Sequence, residues 1–470
     1  LLAAACSLGL MAGFVSAAQA ETLTDAIALA YQTNPTLQQQ RANQRATDEN
    51  VVQAKTAFRP NASISADITE SQSDPHGGAR VEASGSGATL SISQPLYTGG
   101  RASANLTAAE ADVLAAREGL RNIEQNVLIG VIQAYVDVRR DQERLRISQE
   151  NVAVLDRQLD ESNARFEVGE ITRTDVAQSQ ARRAAAQAAL SSAQAQLAIS
   201  RAGYAAIVGQ NPTDLVAEPS LAALLPPTVE QAFDAAENNN PQVQAARFAE
   251  RAAAARVAAA RAARRPTVSA RASLGYDAGE INGVGEQFAD YDRSLSGAVT
   301  ASIPLFTGGL TSSQVRAAAE RENAAHIAVE GAKRTALQSV SNAWSNLLAS
   351  RSGLVSNEEQ VRAARIAFEG VRQEQQVGLR TTLDVLNAQQ ELRSAELALV
   401  SARRDEYVAS AAVLQAMGAL NVASLAPEVA VYDPKTSYNR VNRALGWVPW
   451  EPVVQVIDKV GAPSTKPSSN

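Results

Sequence analysis

The feature that most restricts this 470-residue chain is that it repeats itself. The stretch "VGEITRTDVAQSQ", Val168 to Gln180, returns as "VGLRTTLDVLNAQ", Val377 to Gln389, so Gly378 follows Gly169, and Asp384 follows Asp175, by 209 positions. An offset shared over that distance means that a unit of about two hundred residues is present twice. "NPTLQQQRANQR" from Asn34 is answered by "NPQVQAARFAER" from Asn240, and Arg59-Pro60 by Arg265-Pro266, at an offset of 206. "QPLYTGG" ending at Gly100 is answered by "IPLFTGG" ending at Gly309, and from there the copies align without a gap to Gly209 and Gly418. The offset changes only between Pro60 and Pro95, where loops are therefore expected.

Within each copy the hydrophobic period changes in the same order. Leu23 to Phe58 reads as helix broken at Pro35. "NASISADIT" then places Ile64, Ala66 and Ile68 on one face and Ser63, Ser65, Asp67 and Thr69 on the other, the period of a strand. A Gly, Asp and Pro rich loop, "QSDPHGGARVEASGSG", precedes a second alternating run, "ATLSISQPL". Copy two repeats the pattern with "TVSARASLGY", the loop "DAGEINGVGEQFADYDR" and "LSGAVTASIPLF". After each "TGG" come roughly 65–70 residues without Pro, which as one helix would extend about 100 Å. The repeated phrase ends that helix: Gly169 and Gly378 suit a left-handed C-cap, and Thr172-x-x-Asp175 and Thr381-x-x-Asp384 are capping boxes that open a return helix. The expected organisation is a first repeat over 21–227, with strands at about 61–71 and 87–97 and a helical hairpin at about 100–209. A second repeat spans 228–432, with strands at about 267–277 and 295–306 and a hairpin at about 309–418. A C-terminal extension follows over 433–470, its end expected to be disordered.

Aromatics make up 4% of the chain, and it holds two Met and one Cys, whereas Ala fills runs such as "RAAAARVAAARAARR". Few side chains are large enough to fill a thick core, so the composition favours helices packed at close approach in a wall one layer thick. Residues 1–20, "LLAAACSLGLMAGFVSAAQA", read as a secretory signal peptide cut after Ala18-Gln19-Ala20. Cys6 also suggests a lipoprotein box, but the apolar run continues past it. Cleavage at Ala20 would leave a mature chain without cysteine, excluding disulfides. No later stretch reaches the roughly 18–20 uninterrupted apolar residues of a membrane helix. The net charge of −6, with both signs interspersed, indicates no nucleic-acid surface. His76 and His326 lie far apart, and no Ser/His/Asp set, phosphate loop or metal spacing is present, so neither an enzyme nor a cofactor is expected.

Two hairpins supply four strands of barrel-spanning length and alternation. Four strands cannot close a barrel, and unpaired backbone groups in a bilayer cost several kcal/mol each, so the edges must pair with other copies. Three chains would give twelve strands around a water-filled lumen.

The duplicated order, the two "(Q/I)PL(Y/F)TGG" junctions, the two "VGxxTxxDV" tips and "VYDPKTSYNRV" from Val431 together resemble the TolC family of outer-membrane channel-tunnels, over about Leu23 to Val441. The resemblance implies a mainly α chain with a membrane β-barrel: a homotrimer whose twelve-stranded barrel in the outer membrane is continued by a long α-helical barrel across the periplasm. It implies an exit duct for type I protein secretion and for drug efflux, working with a periplasmic adapter and an inner-membrane ABC or RND pump. A belt of small elements is expected at "NPTDLVAEPSLAALLPP" and "GALNVASLAPEVAVYDP".

Carried over position by position, the resemblance makes Arg380 a tip arginine linked to a neighbouring hairpin, with Thr174 and Asp175 as its partners. It makes Asp384 part of an acidic ring at the periplasmic gate, although the capping boxes already account for both aspartates. Val168, Gly169 and Glu170 in one tip, and Val377, Gly378 and Leu379 in the other, would meet the adapter. The chain departs from the family at Asn387, where a second acidic ring residue is often found, at Gln375, in place of a gating tyrosine, and at Glu170, in place of leucine. Tyr97, Phe306 and Tyr276 near strand ends suit an interfacial aromatic girdle or packing beneath the barrel. Tyr135 and Trp344, 209 apart, read as helix-packing residues. The alternative is a soluble periplasmic coiled-coil adapter, which explains the helices and tips but not two alternating hairpins at the same place in each copy.

Overall fold

The computed structural model describes residues 21–467 apart from 283, 445 and 447, so the expected signal peptide lies outside the described residues. The first copy holds α1 (Leu23–Thr33), α2 (Pro35–Thr56), β1 (Asn61–Ser73), β2 (Val81–Tyr97), α3 (Arg101–Glu167) and α4 (Arg173–Val208). The second holds α5 (Val229–Asn239), α6 (Pro241–Ala262), β3 (Thr267–Ile281), a short β4 (Val284–Gly285), β5 (Asp292–Ser302), α7 (Leu310–Gln376) and α8 (Thr382–Ala416). α9 (Val422–Leu425), α10 (Pro434–Ala444) and α11 (Glu451–Asp458) follow. The helices α3 and α7 have 67 residues each, about 100 Å of continuous helix.

The chain forms two compact units. One comprises Gln39–Asn122, Pro241–Thr335 and the chain from Tyr432. Its antiparallel sheet has the order β1-β2-β3-β5, and among the described residues β1 pairs only with β2, and β5 only with β3. The register sorts the side chains by chemistry. Ile64 lies opposite Leu90, Leu90 opposite Leu274, and Leu274 opposite Leu295, an apolar row across all four strands. One residue along, on the other face, the row is Ser63, Ser91, Ser273 and Ser296, with hydroxyl pairs at 2.9 and 2.7 Å. Asp67, Gly87, Asp277 and Asp292 form another polar row on that face. A sheet apolar on one side and hydroxylated or acidic on the other suits lipid on the first and water on the second.

Strand limits differ from the sequence reading. β2 starts at Val81 rather than near 87, and β3 runs on to Ile281, both passing through glycines that read as loop. A Cβ at Gly87 would fall 2.8 Å from Asp277 Oδ1, and one at Gly85 would fall 3.2 Å from Thr69 Oγ1, so these glycines make room for facing side chains instead of marking turns. β5 begins at Asp292 and stops at Ser302, short of 306, because Pro304 has no N–H to continue the ladder.

Of the segment expected as an extension, α10 and α11 form a packed strap, and the last residues of its end, 468–470, lie outside the described residues. Tyr432 and Tyr438 receive the guanidinium groups of Arg41 and Arg117 at 5.0 and 5.3 Å from their ring centres. Glu451 pairs with Arg59 at 2.6 Å, and Trp450 Nε1 donates to Gln94 Oε1 at 3.1 Å. The buried Asp458 then reaches the start of α3. It accepts from the backbone of Thr98, Gly100 and Ser103 and from the hydroxyls of Thr98 and Ser103, at 2.6 to 3.3 Å.

The other unit comprises the chain up to Gln38, Ile123–Asn240 and Ala336–Val431. Alanines let its helices approach closely: Ala232, Ala236, Ala343 and Ala409 pack with Val340, Leu347, Val413 and Met417, with Trp344 against them. Tyr135, the counterpart of Trp344, is fully buried. Its hydroxyl lies 3.0 Å from Glu21 O and 2.7 Å from Val216 O, tying α3 to the segment between the copies, and burial pushes its pKa up to about 12. Tyr135→Phe keeps the ring and removes this buried hydroxyl donor, so we expect a loss of about 1–2 kcal/mol, read as a lower thermal midpoint by circular dichroism.

Candidate functional site

The two hairpin tips are built alike. The helix α3 ends as Gly169 turns left-handed at φ +78°, with Gly169 N donating to Phe166 O at 2.9 Å and Glu170 N to Arg165 O at 2.9 Å. Gly378, φ +81°, ends α7 with matching bonds from Gly378 N to Gln375 O and Leu379 N to Glu374 O. This paired pattern satisfies carbonyls left over at the helix end and needs a residue without Cβ strain at the turn. The chain then reverses through a capping box. Asp175 N donates to Thr172 Oγ1 while Thr172 N and Oγ1 donate to Asp175 Oδ2 at 2.9 and 2.7 Å; Thr381 and Asp384 repeat this at 3.0 and 2.8 Å.

The same bonds set the charge of both aspartates. The Thr172 hydroxyl and backbone hold Asp175 below the ordinary carboxylate range, and the Thr381 backbone and hydroxyl do the same for Asp384. Both therefore stay ionised at neutral pH. The apolar knobs of the tips point to solvent, with Val168 72% and Leu379 76% exposed, and Val377, Gly169, Gly378 and Glu170 exposed beside them.

The chain does not bring all the expected gate residues together. Arg380 Nε donates to Glu374 Oε2 of its own tip at 2.8 Å, whereas Thr174 is exposed in the other tip, next to Asp175. In the first tip the pair is Arg165 with Glu170, at 3.0 Å. Arg165 and Glu374 occupy equivalent positions at the 209 offset, but their partners do not, since Glu170 aligns with Leu379 and Arg380 with Ile171; each tip thus has its own ion pair, of opposite sense. Asn387 accepts from Arg182 Nη2 at 3.0 Å, and Leu386 packs with Leu155 and Ala186, so α8 is fastened to the first hairpin just behind the tips. Gln375 is buried, lining a cleft of about 220 Å³ with Leu155, Phe368, Val385 and Gln389, and its Nε2 has no hydrogen-bond partner among the described residues. Among the described residues no group of three or more His, Cys, Asp or Glu is placed to hold a metal ion, and no helix is long and apolar enough to cross a membrane.

Strands with one apolar and one polar face, joined through tight Gly-Gly turns to helices of about 100 Å that end in paired capped tips, define an outer-membrane channel of the tunnel type. The chain belongs to the outer membrane efflux protein family, whose pattern it matches over residues 26–210 and 232–419, one match in each copy. It is 37% identical to the outer membrane efflux protein BepC of Brucella suis, over 90% of this chain and 91% of that one. It is 27% identical to the outer membrane protein TolC of Escherichia coli, over 80% and 78%. In structure it is similar to the outer membrane protein VceC of Vibrio cholerae, with a TM-score of 0.71 at 24% identity, covering 84% of this chain and 96% of that one. The outer-membrane exit duct thus stands, and the soluble adapter does not.

Proposed function

We propose that three copies of this chain form one conduit. β1 and β5 of neighbouring copies pair to close a twelve-stranded barrel in the outer membrane, and the long helices continue it as an α-helical barrel across the periplasm. The register of the sheet carries this reading, because the row Ile64–Leu90–Leu274–Leu295 suits lipid, the serine row suits a wet lumen, and two strands are left with one open edge each. The tips form the periplasmic entrance. Val168, Gly169 and Glu170, with Val377, Gly378 and Leu379, dock a periplasmic adapter, which links the duct to an inner-membrane ABC or RND pump. The cargo is a small drug or a protein exported by type I secretion. Comparing drug susceptibility and secreted proteins with and without the gene separates the two.

At the entrance Arg380 exchanges its Glu374 contact for Thr174 and Asp175 of a neighbouring hairpin, and Asp384 from three copies forms a ring that attracts cations. Arg380→Ala is expected to raise the single-channel conductance of the purified protein in planar bilayers several-fold, and an unchanged conductance would sink the latch. Asp384→Asn is expected to weaken block by divalent cations in the same recordings.

A further inference from the structure

The two strand-to-helix junctions have nearly the same sequence but different surroundings. At the first, α11 lies over the chain: Val454 packs with Phe58 and Ala102, Tyr97 Oη donates to Val460 O at 3.3 Å, and a Cβ at Gly100 would fall 2.5 Å from Ala462 Cβ. At the second, Leu305 and Phe306 are each 90% exposed, Ile303 and Leu310 are exposed, and a Cβ at Gly308 or Gly309 meets nothing within 4 Å. The outward side of α11 and the turn after it are also bare, through Val453, Val456, Ile457 and Val460. One unit of the chain thus presents two uncovered apolar surfaces, and neither covers the other.

We infer that the outward side of α11 packs onto the Ile303–Leu310 junction of the adjacent copy, as a clasp between subunits. The inference rests on the homotrimer proposed above. Closing the barrel sets β5 beside β1 of the next copy, and strands lie about 4.8 Å apart. The end of β5 is then two strand spacings, about 10 Å, from the end of the neighbour's β2. β2 and β5 both run from the loops toward the helices, so their ends lie at the same rim. The neighbour's α11 sits on the end of its own β2, and about 10 Å is also the separation of packed elements whose side chains interlock. Each copy presents one clasp and one bare junction, so three copies close the ring with neither surface left over.

From residue 21 the chain has no cysteine, which makes cross-linking clean. Full-length protein carrying Leu310→Cys and Val456→Cys, extracted from membranes in detergent and treated with a short bismaleimide, is expected to lose most of its monomer band to covalent trimer on a denaturing gel. Co-expressed chains carrying one substitution each are expected to give covalent dimers. Phe306→Cys with Val460→Cys is a second pair should the first fail to assemble. A cross-linked band of monomer mass, or no cross-link in protein that still migrates as a trimer before denaturation, overturns the clasp, the latter leaving lipid as the cover. If the unsubstituted protein is itself monomeric before denaturation, the homotrimer is what fails, and the clasp falls with it.

Discussion

Gly418→Ala is expected to destabilise the fold by about 3 kcal/mol or more, because strain and a collision with backbone fall on the same atom. Gly418 ends the α8 turn at φ +74°, with Gly418 N donating to Gln415 O at 2.9 Å and Ala419 N to Leu414 O at 2.8 Å. A Cβ there would run into the Asn239 carbonyl, 2.7 Å from its carbon and 2.9 Å from Asn240 Cα. That backbone cannot retreat easily, since Asn240 Nδ2 is bonded to Ala416 O at 3.0 Å. Gly169 and Gly378 have the same left-handed turn with nothing within 4 Å of where a Cβ would sit, so alanine there should cost only about 1 kcal/mol. Gly209, the counterpart of Gly418, would meet only the Thr33 side chain, its hydroxyl at 3.1 Å, which can rotate away. Thermal melts of the variants in detergent should rank Gly418→Ala as by far the most damaging; equal losses at all four positions would contradict the steric account.

The second large effect belongs to Asp458. Asp458→Ala removes the acceptor for five donors at the start of α3 and leaves buried N–H groups unsatisfied, an expected loss of about 2–4 kcal/mol. The loss should be local to copy one, because all five of these donors belong to the first junction. Burial pushes the Asp458 carboxyl up, but the bonds from Thr98 and Ser103 outweigh it and hold the pKa below the ordinary value of 3.8. A lowered pKa means that the cap contributes fully above 3.8, weakens as pH falls below that, and is gone once pH passes the folded-state value. Chemical denaturation should therefore show the gap between wild type and Asp458→Ala constant at neutral pH and shrinking in acid; a gap that widens in acid would contradict the sign.

What could be read from the chain beforehand was whatever repeats or is local. The 209 offset, the long Pro-free runs and the Thr-x-x-Asp boxes can each be seen in the order of residues alone, and each appears in the structure at those residues. Gly85, Gly87 and Gly279 were misleading because their reason lies on the neighbouring strand, in Thr69 and Asp277 or in close backbone, and no local pattern shows that. The strap was illegible for the same cause on a larger scale: Asp458 and Thr98 are 360 positions apart, and nothing around "VVQVIDKV" announces a helix cap. At the tips, the residue types were plain but their partners were not. Arg380 meets Glu374 in this chain, and Asn387 holds Arg182, a bond that an acidic residue in the same place would have turned into an ion pair.

Native mass spectrometry of the protein released from membranes by detergent tests the central claim most directly, since in the proposed trimer a single polypeptide supplies only a third of the barrel wall. The expected species carries three chain masses, with no population of single chains until the sheet is unfolded. A lone chain whose circular dichroism still reports intact strands would contradict the shared barrel.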